Sequence, residues 1–325
     1  MRALPLLTLL LIGWWALPAQ ADEAQDWLGR LGQAEQQQSF QGTFVYERNG
    51  SFSTHGIWHL VRDGKVRERL IQLDGLAQEV VRVDGHTQCV SGALVAGLGD
   101  MPDSHARSLD PQILKNWYDI AVIGKSRVAG RPAVVVSLTP RDQHRYGFEL
   151  HLDRQTGLPL KSLLLNDKGQ LLERFQFTEL NTTQPLEDSQ VQASAECKPV
   201  VLLANQAQPK PQALGATAVQ LWHSDWLPPG FELVSNTARV DPATKAQVSS
   251  LMYDDGLSRF SVFLEPLNGA TVTDSRTQLG PTVAVSRHLS TPGGDVMVTV
   301  VGEIPVGTAE RIALSMRYGD TQAKQ

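Results

Sequence analysis

The chain has 325 residues, 42% of them hydrophobic, and carries 29 Lys and Arg against 34 Asp and Glu for a net charge of −5. This balance is ordinary for a soluble protein and excludes a nucleic-acid surface. The length favours two domains over one.

The N-terminus reads MRALPLLTLLLIGWWALPAQADEAQ. Arg2 is a short positive region, Leu4 to Leu17 is apolar, and Ala19-Gln20-Ala21 forms an A-x-A site. Residues 1–21 are therefore expected to be a signal peptide cleaved after Ala21, which exports the protein. The apolar run is shorter than the ~20 residues of a membrane span, and no later segment is long and apolar enough to cross. In an oxidising compartment Cys89 and Cys197 are expected to form a disulfide. The alternative is two separate buried thiols.

DEAQDWLGRLGQAEQQQSF has the apolar stripe of a helix in Trp27, Leu28, Leu31 and Ala34, with Asp22, Glu23 and Asp26 near its positive end. FQGTFVYER then switches to a period of two, which places Phe40, Gly42, Phe44 and Tyr46 on one face of a strand. A second strand opens over Ile57 to Leu60. Asp-Gly recurs at Asp63-Gly64, Asp74-Gly75 and Asp84-Gly85, between runs of Val, Leu and Ile. Such turns need positive φ, and the series reads as an up-and-down antiparallel meander.

Ser91 to Pro102 is a glycine-rich loop. Asp110-Pro111 starts a short helix over Ile113, Leu114, Trp117 and Tyr118. Strands resume with RPAVVVSLTP, YGFELHLD, LPLKSLLLND and LLERFQFTEL. Residues 205–218 have the Pro, Gln and Ala content of a linker, so 22–204 is read as one domain and 219–325 as a smaller one. The smaller domain has a turn at Pro228-Pro229-Gly230. It has hairpins about Asp255-Gly256 and Pro292-Gly293-Gly294. Thr308 is expected to cap a helix over Ala309, Ile312, Ala313 and Met316.

The usual catalytic constellations are missing: no G-x-S-x-G, S-x-x-K, H-E-x-x-H or Walker loop. His144 and His151 lie seven residues apart, on opposite faces of a strand, and are expected to face solvent rather than share a metal. Asp254-Asp255 sits on a hairpin tip, where turn chemistry is the expected role. Arg62, Lys65, Arg67 and Arg69 alternate with carboxylates, as on a solvated strand face. What remains is apolar. Phe40, Phe44, Tyr46, Trp58, Leu60 and Trp117 are the candidate lining of a hydrophobic ligand pocket, or else simply the core. No metal ligands and no cofactor are expected.

WLGRL, FQGTFVYERNG, RERLIQLDG, QEVVRVDG, FELHLDRQTGLPLKSLLL, VMVTVVGEIP and TAERIA together resemble the MucB/RseB family, over about Trp27 to Tyr318. The resemblance implies an α+β fold. Its N-terminal part would be a LolA/LolB-like antiparallel half-barrel with covering helices, followed by the linker and a smaller C-terminal antiparallel sheet domain with a helix. It implies a periplasmic negative regulator of an envelope-stress sigma factor. Such a regulator binds the periplasmic domain of a membrane-spanning anti-sigma factor, shields it from proteolysis, and is displaced by lipid or lipopolysaccharide. It implies no catalytic residues. A periplasmic lipid or lipoprotein carrier is the competing reading, against which the second domain counts. The sequence leaves a homo-oligomer open.

Overall fold

The computed structural model describes residues 19–92, 109–200, 222–240 and 246–319. Most of the expected signal peptide, most of the stretch expected to be a glycine-rich loop (91–102) and the expected linker (205–218) lie outside those residues. Helix α1 (Ala19–Gln37) buries Ala24, Trp27, Leu28, Leu31 and Ala34, the stripe that its sequence period requires.

An up-and-down run follows: β1 (Phe40–Arg48), β2 (Ser51–Arg62), β3 (Lys65–Gln72), β4 (Glu79–Val83) and β5 (His86–Val90). After the short helix α2 (Pro111–Leu114) come β6 (Tyr118–Val128), β7 (Arg131–Pro140), β8 (Gly147–Asp153), β9 (Pro159–Leu165) and β10 (Leu171–Asn181). A two-residue strand β11 (Lys198–Pro199) completes the sheet. The eleven strands lie in the order β11-β5-β4-β3-β2-β1-β10-β9-β8-β7-β6. Two meanders are thus joined where β1 pairs with β10, and the sheet curves around α1 as a half-barrel.

Two Asp-Gly pairs make the two-residue turns expected of them, with φ of 55° and 72° at Asp63-Gly64 and 50° and 80° at Asp84-Gly85. The middle one differs. Among its two residues only Gly75 has positive φ, and it sits in a longer loop where Asp74 Oδ2 accepts from the Thr54 amide at 2.9 Å. The Asp110 side chain caps α2 by accepting from the Gln112 amide at 2.8 Å, but α2 ends at Leu114 and Tyr118 already belongs to β6.

The second domain contains β12 (Trp222–Ser224), β13 (Glu232–Val240), β14 (Gln247–Asp254), β15 (Arg259–Pro266), β16 (Ser275–Leu279), β17 (Thr282–Thr291) and β18 (Gly294–Gly302). Helix α3 (Val306–Ser315) and β19 (Met316–Tyr318) follow. Six strands form a sheet in the order β13-β14-β15-β18-β17-β16, while β12 pairs with β19. Phe260, Val262, Val285, Val298, Val300 and Ile312 are its buried centre. Thr308 does not cap α3. Pro305 holds that position, and Thr308 lies buried one turn inside, its hydroxyl 3.2 Å from His144 Nδ1 of the first domain.

Candidate functional site

A cavity of about 540 Å³ lies between α1 and the concave face of the first sheet, within the usual range for small-molecule sites. A pocket of about 180 Å³ adjoins it and shares Ile57, Glu68, Arg82 and Phe175 in its walls. Leu31 and Gly32 of α1 close the larger cavity from one side, and Phe40 and Phe177 from the other. The lining is aromatic and aliphatic, with one polar strip.

The strip follows from strand register. The Asn49-Gly50 turn pairs Arg48 with Ser51 and therefore Phe40 with His59, and the Asp63-Gly64 turn sets Glu68 opposite His59. Next along the sheet, Glu68 pairs with Arg82. His59 is buried and stacks on Phe40, with ring centroids 4.6 Å apart. Its Nε2 lies 2.8 Å from the Glu35 carbonyl and its Nδ1 2.9 Å from Glu68 Oε1. A carbonyl oxygen can only accept, so Nε2 carries a hydrogen. Nδ1 then either donates to the Glu68 carboxylate, making an imidazolium–carboxylate pair, or accepts from its carboxylic acid. Burial would raise the Glu68 carboxyl, but His59 and Arg82 outweigh it and hold it below the ordinary range. Arg82 Nε is buried without a hydrogen-bond partner, in the wall of both cavities. It is a free donor for an occupant.

The six candidate pocket residues divide. Phe40 and Phe44 are buried on the concave side, and Phe44 stacks on His55. Tyr46 packs at the edge of the same core and donates to Glu173 Oε2 at 2.6 Å. Trp58 and Leu60 alternate with Ile57 and His59, so they point out of the opposite, convex face. There they pack with Leu186 and Val191, and the Arg69 guanidinium lies 5.9 Å over the Trp58 ring. Trp117 lies at the junction with the second domain, against Gly230. Grouping Trp58, Leu60 and Trp117 with the pocket is corrected accordingly, and Ile57, His59, Glu68, Arg82 and Phe175 take their place. The Asn49-Gly50 turn in the sequence carries the register that separates the two sets.

Three other expectations change. His151 is not solvent-facing: it is buried, with Nε2 2.8 Å from Glu149 Oε1 and Nδ1 2.7 Å from Ser126 Oγ. One acceptor and one hydroxyl donor suit the neutral ring, and burial lowers its affinity for a proton. His144 is half-buried against Trp226 and Thr308. Asp254 and Asp255 make the expected turn bonds, accepting from the amides of Gly256, Leu257 and Ser258. The tip is nonetheless buried, with 7% and 2% exposure, because it is inserted against the first domain. Arg62 and Arg67 meet Asp188 of the segment after β10, and Arg69 meets Glu79 of β4 at 2.8 Å, whose carboxylate also accepts from the Ser194 amide, so this basic face is paired rather than merely solvated. The same segment is held by a disulfide between Cys89 and Cys197, whose Cα atoms are 5.5 Å apart.

The family model of the MucB/RseB N-terminal domain matches residues 23–195, and that of the C-terminal domain matches residues 216–317. The chain belongs to the MucB/RseB family. The sigma factor AlgU regulatory protein MucB of Pseudomonas aeruginosa is 61% identical over 313 residues, 96% of each chain. The Pseudomonas aeruginosa MucA/MucB complex aligns with a TM-score of 0.81 at 60% identity, covering 92% of this chain and 100% of the matched one. A structure of MucB aligns at 0.66 and 58% identity, covering 91% and 98%. Both family domains, their order and a cavity-bearing first domain therefore come together in one chain.

Proposed function

We propose that this protein is an exported, periplasmic regulator that binds the periplasmic domain of a membrane-spanning anti-sigma factor and shields it from proteolysis. By that means it restrains an envelope-stress sigma factor. One observation carries the reading: nearly the whole chain aligns at 60% identity with a protein solved in complex with MucA. We further propose that lipid or a lipopolysaccharide fragment releases the partner by entering the concave cavity. A largely apolar lining, with the Arg82 Nε hydrogen left without a partner among the described residues, suits acyl chains attached to an anionic group. The role calls for binding surfaces rather than a catalytic group.

Calorimetry of the mature protein with the periplasmic domain of Pseudomonas aeruginosa MucA tests the first part, and repeating it with added lipopolysaccharide tests the second. Binding that lipopolysaccharide weakens is the expected result. Uptake of lipid with no binding of MucA would instead favour a carrier.

A further inference from the structure

Arg145 is the largest fully buried side chain of the protein's described residues, and it lies where the two domains meet. From its own domain Asp142 receives its Nη2 at 3.1 Å. From the second domain Asp255 receives Nη1 at 2.6 Å, and the Pro229 carbonyl receives Nη2. Its guanidinium also sits 5.5 Å from the Trp117 ring, 5.7 Å from Tyr118 and 5.1 Å from Phe231. A guanidinium takes up five hydrogen-bond directions in one plane. Here four of those directions are taken up by partners from both domains, Nε also donating to Asp142 at 3.2 Å, and rings from both domains cover its faces.

The seam around it leaves little freedom. Gly230 has φ of +87°, and a Cβ there would fall 2.2 Å from the Trp117 ring. Tyr118 and Ser258 hydroxyls are 3.3 Å apart across the seam, and the Tyr146 hydroxyl donates to the Ile304 carbonyl at 3.1 Å. At the far end Arg48, beside the β1–β2 turn, bonds to Thr282 and packs against Gly280, where a Cβ would fall 2.8 Å from its Cγ. A loose contact between domains joined by a linker has no need of a buried charge, since such a charge is costly unless every partner is in place. A buried ionic cluster favours one geometry strongly and its near neighbours not at all.

We infer that Arg145 and Asp255 form a latch that fixes one arrangement of the two domains, and that this arrangement is the one the anti-sigma partner binds. Arg145 is thus a positioning residue for partner binding. This inference rests on the function proposed above. Whole-chain agreement is closer with the MucA/MucB complex, at a TM-score of 0.81, than with MucB alone, at 0.66, although the identities are 60% and 58%.

The test uses the full mature chain and the periplasmic domain of Pseudomonas aeruginosa MucA. Asp255→Asn keeps the acceptor for the Leu257 and Ser258 amides but removes the charge that Arg145 meets. It is expected to leave both domains folded by circular dichroism, to enlarge the radius of gyration in solution scattering, and to weaken MucA binding at least tenfold. Arg48→Ala, at the half-buried far end of the seam, should weaken binding severalfold in a chain whose folding does not depend on the first variant. Scattering that shows an opened seam together with unchanged MucA affinity, in either variant, would overturn the inference. So would weakened binding with an unchanged radius. Failure of the wild-type chain to bind MucA would count against the proposed function itself.

Discussion

At residue scale, parity along a strand decides which side chains can meet a ligand. Trp58 lies on the convex face with Leu60, Leu186 and Val191, whereas its neighbour Ile57 lines both cavities. Trp58→Ala should therefore cost stability, about 2 kcal/mol for a half-buried aromatic, and leave lipid affinity unchanged. Ile57→Asp should lower lipid affinity at least tenfold, because it introduces a charge into an apolar wall. Titration with a fluorescent acyl probe separates the two, and equal losses would place the ligand elsewhere. The buried histidine and carboxylates give a second expectation. Burial lowers the proton affinity of His151, so the unfolded chain takes up a proton first as pH falls through about 6.5, and stability declines there. Glu68, Glu79 and Asp153 are held below the ordinary carboxylate range by His59, by Ser194 and Arg69, and by Arg131 respectively, in each case against the raising effect of burial. Their contribution is complete above that range and disappears as pH falls below about 4. Burial pushes Asp255 the other way and offsets part of the loss. The urea midpoint should thus fall modestly from pH 7.5 to 5.5 and steeply below 4. A flat midpoint down to pH 3.5 would contradict these assignments.

At the scale of elements, the disulfide and two arginines do one job together. The chain after β10 crosses the convex face, where Leu186 and Val191 cover Leu60, Asp188 meets Arg62 and Arg67, and Ser194 bonds to Glu79. Cys197 then joins Cys89, 108 residues away in sequence, and β11 adds to β5. In a fully unfolded reference chain, closing a loop of that size contributes about 4–5 kcal/mol, an upper figure. The double variant Cys89→Ser, Cys197→Ser should lose up to that amount, and amide exchange should accelerate first in β5 and the segment beyond residue 182. Uniform acceleration over the whole sheet would show instead that the crossing segment is not a separate unit. Such elements were readable in the sequence to different degrees. Helix α1 and the meander announce themselves, because a 3.6-residue stripe and paired Asp-Gly turns are local signals. The latch does not, because Arg145 and Asp255 are 110 residues apart and each reads locally as a loop or a turn residue. The faces of β1 and β2 are an intermediate case: period two gives two sets of residues, but only the Asn49-Gly50 turn says which set on one strand joins which on the next.

At the scale of the molecule, α1 touches both the cavity and the domain seam. Its C-terminal half supplies Leu31, Gly32 and Glu35 to the cavity wall. Its N-terminal half packs Ala24 and Leu28 with Leu114 and Tyr118, in a cluster that Leu257 of the second domain joins. Tyr118 in turn lies under the Arg145 guanidinium. A ligand that displaces α1 from the sheet therefore acts on a rigid rod whose other end supports the latch. Coupling of this kind requires only that lipid and partner prefer different arrangements of the same helix and seam. If lipid weakens partner binding tenfold, linkage requires the partner to weaken lipid binding tenfold as well, a coupling of about 1.4 kcal/mol. The expected experiment is a pair of titrations on the wild-type chain: lipid affinity with and without saturating MucA periplasmic domain, and MucA affinity with and without saturating lipid. The two factors should agree. With Leu28→Ala, which leaves a gap between α1 and the Tyr118 cluster at a cost of about 2–5 kcal/mol, both factors should shrink towards one while lipid still enters the cavity. Full coupling in that variant would show that the signal bypasses α1, and equal affinities in the wild type would show that cavity and partner surface are independent.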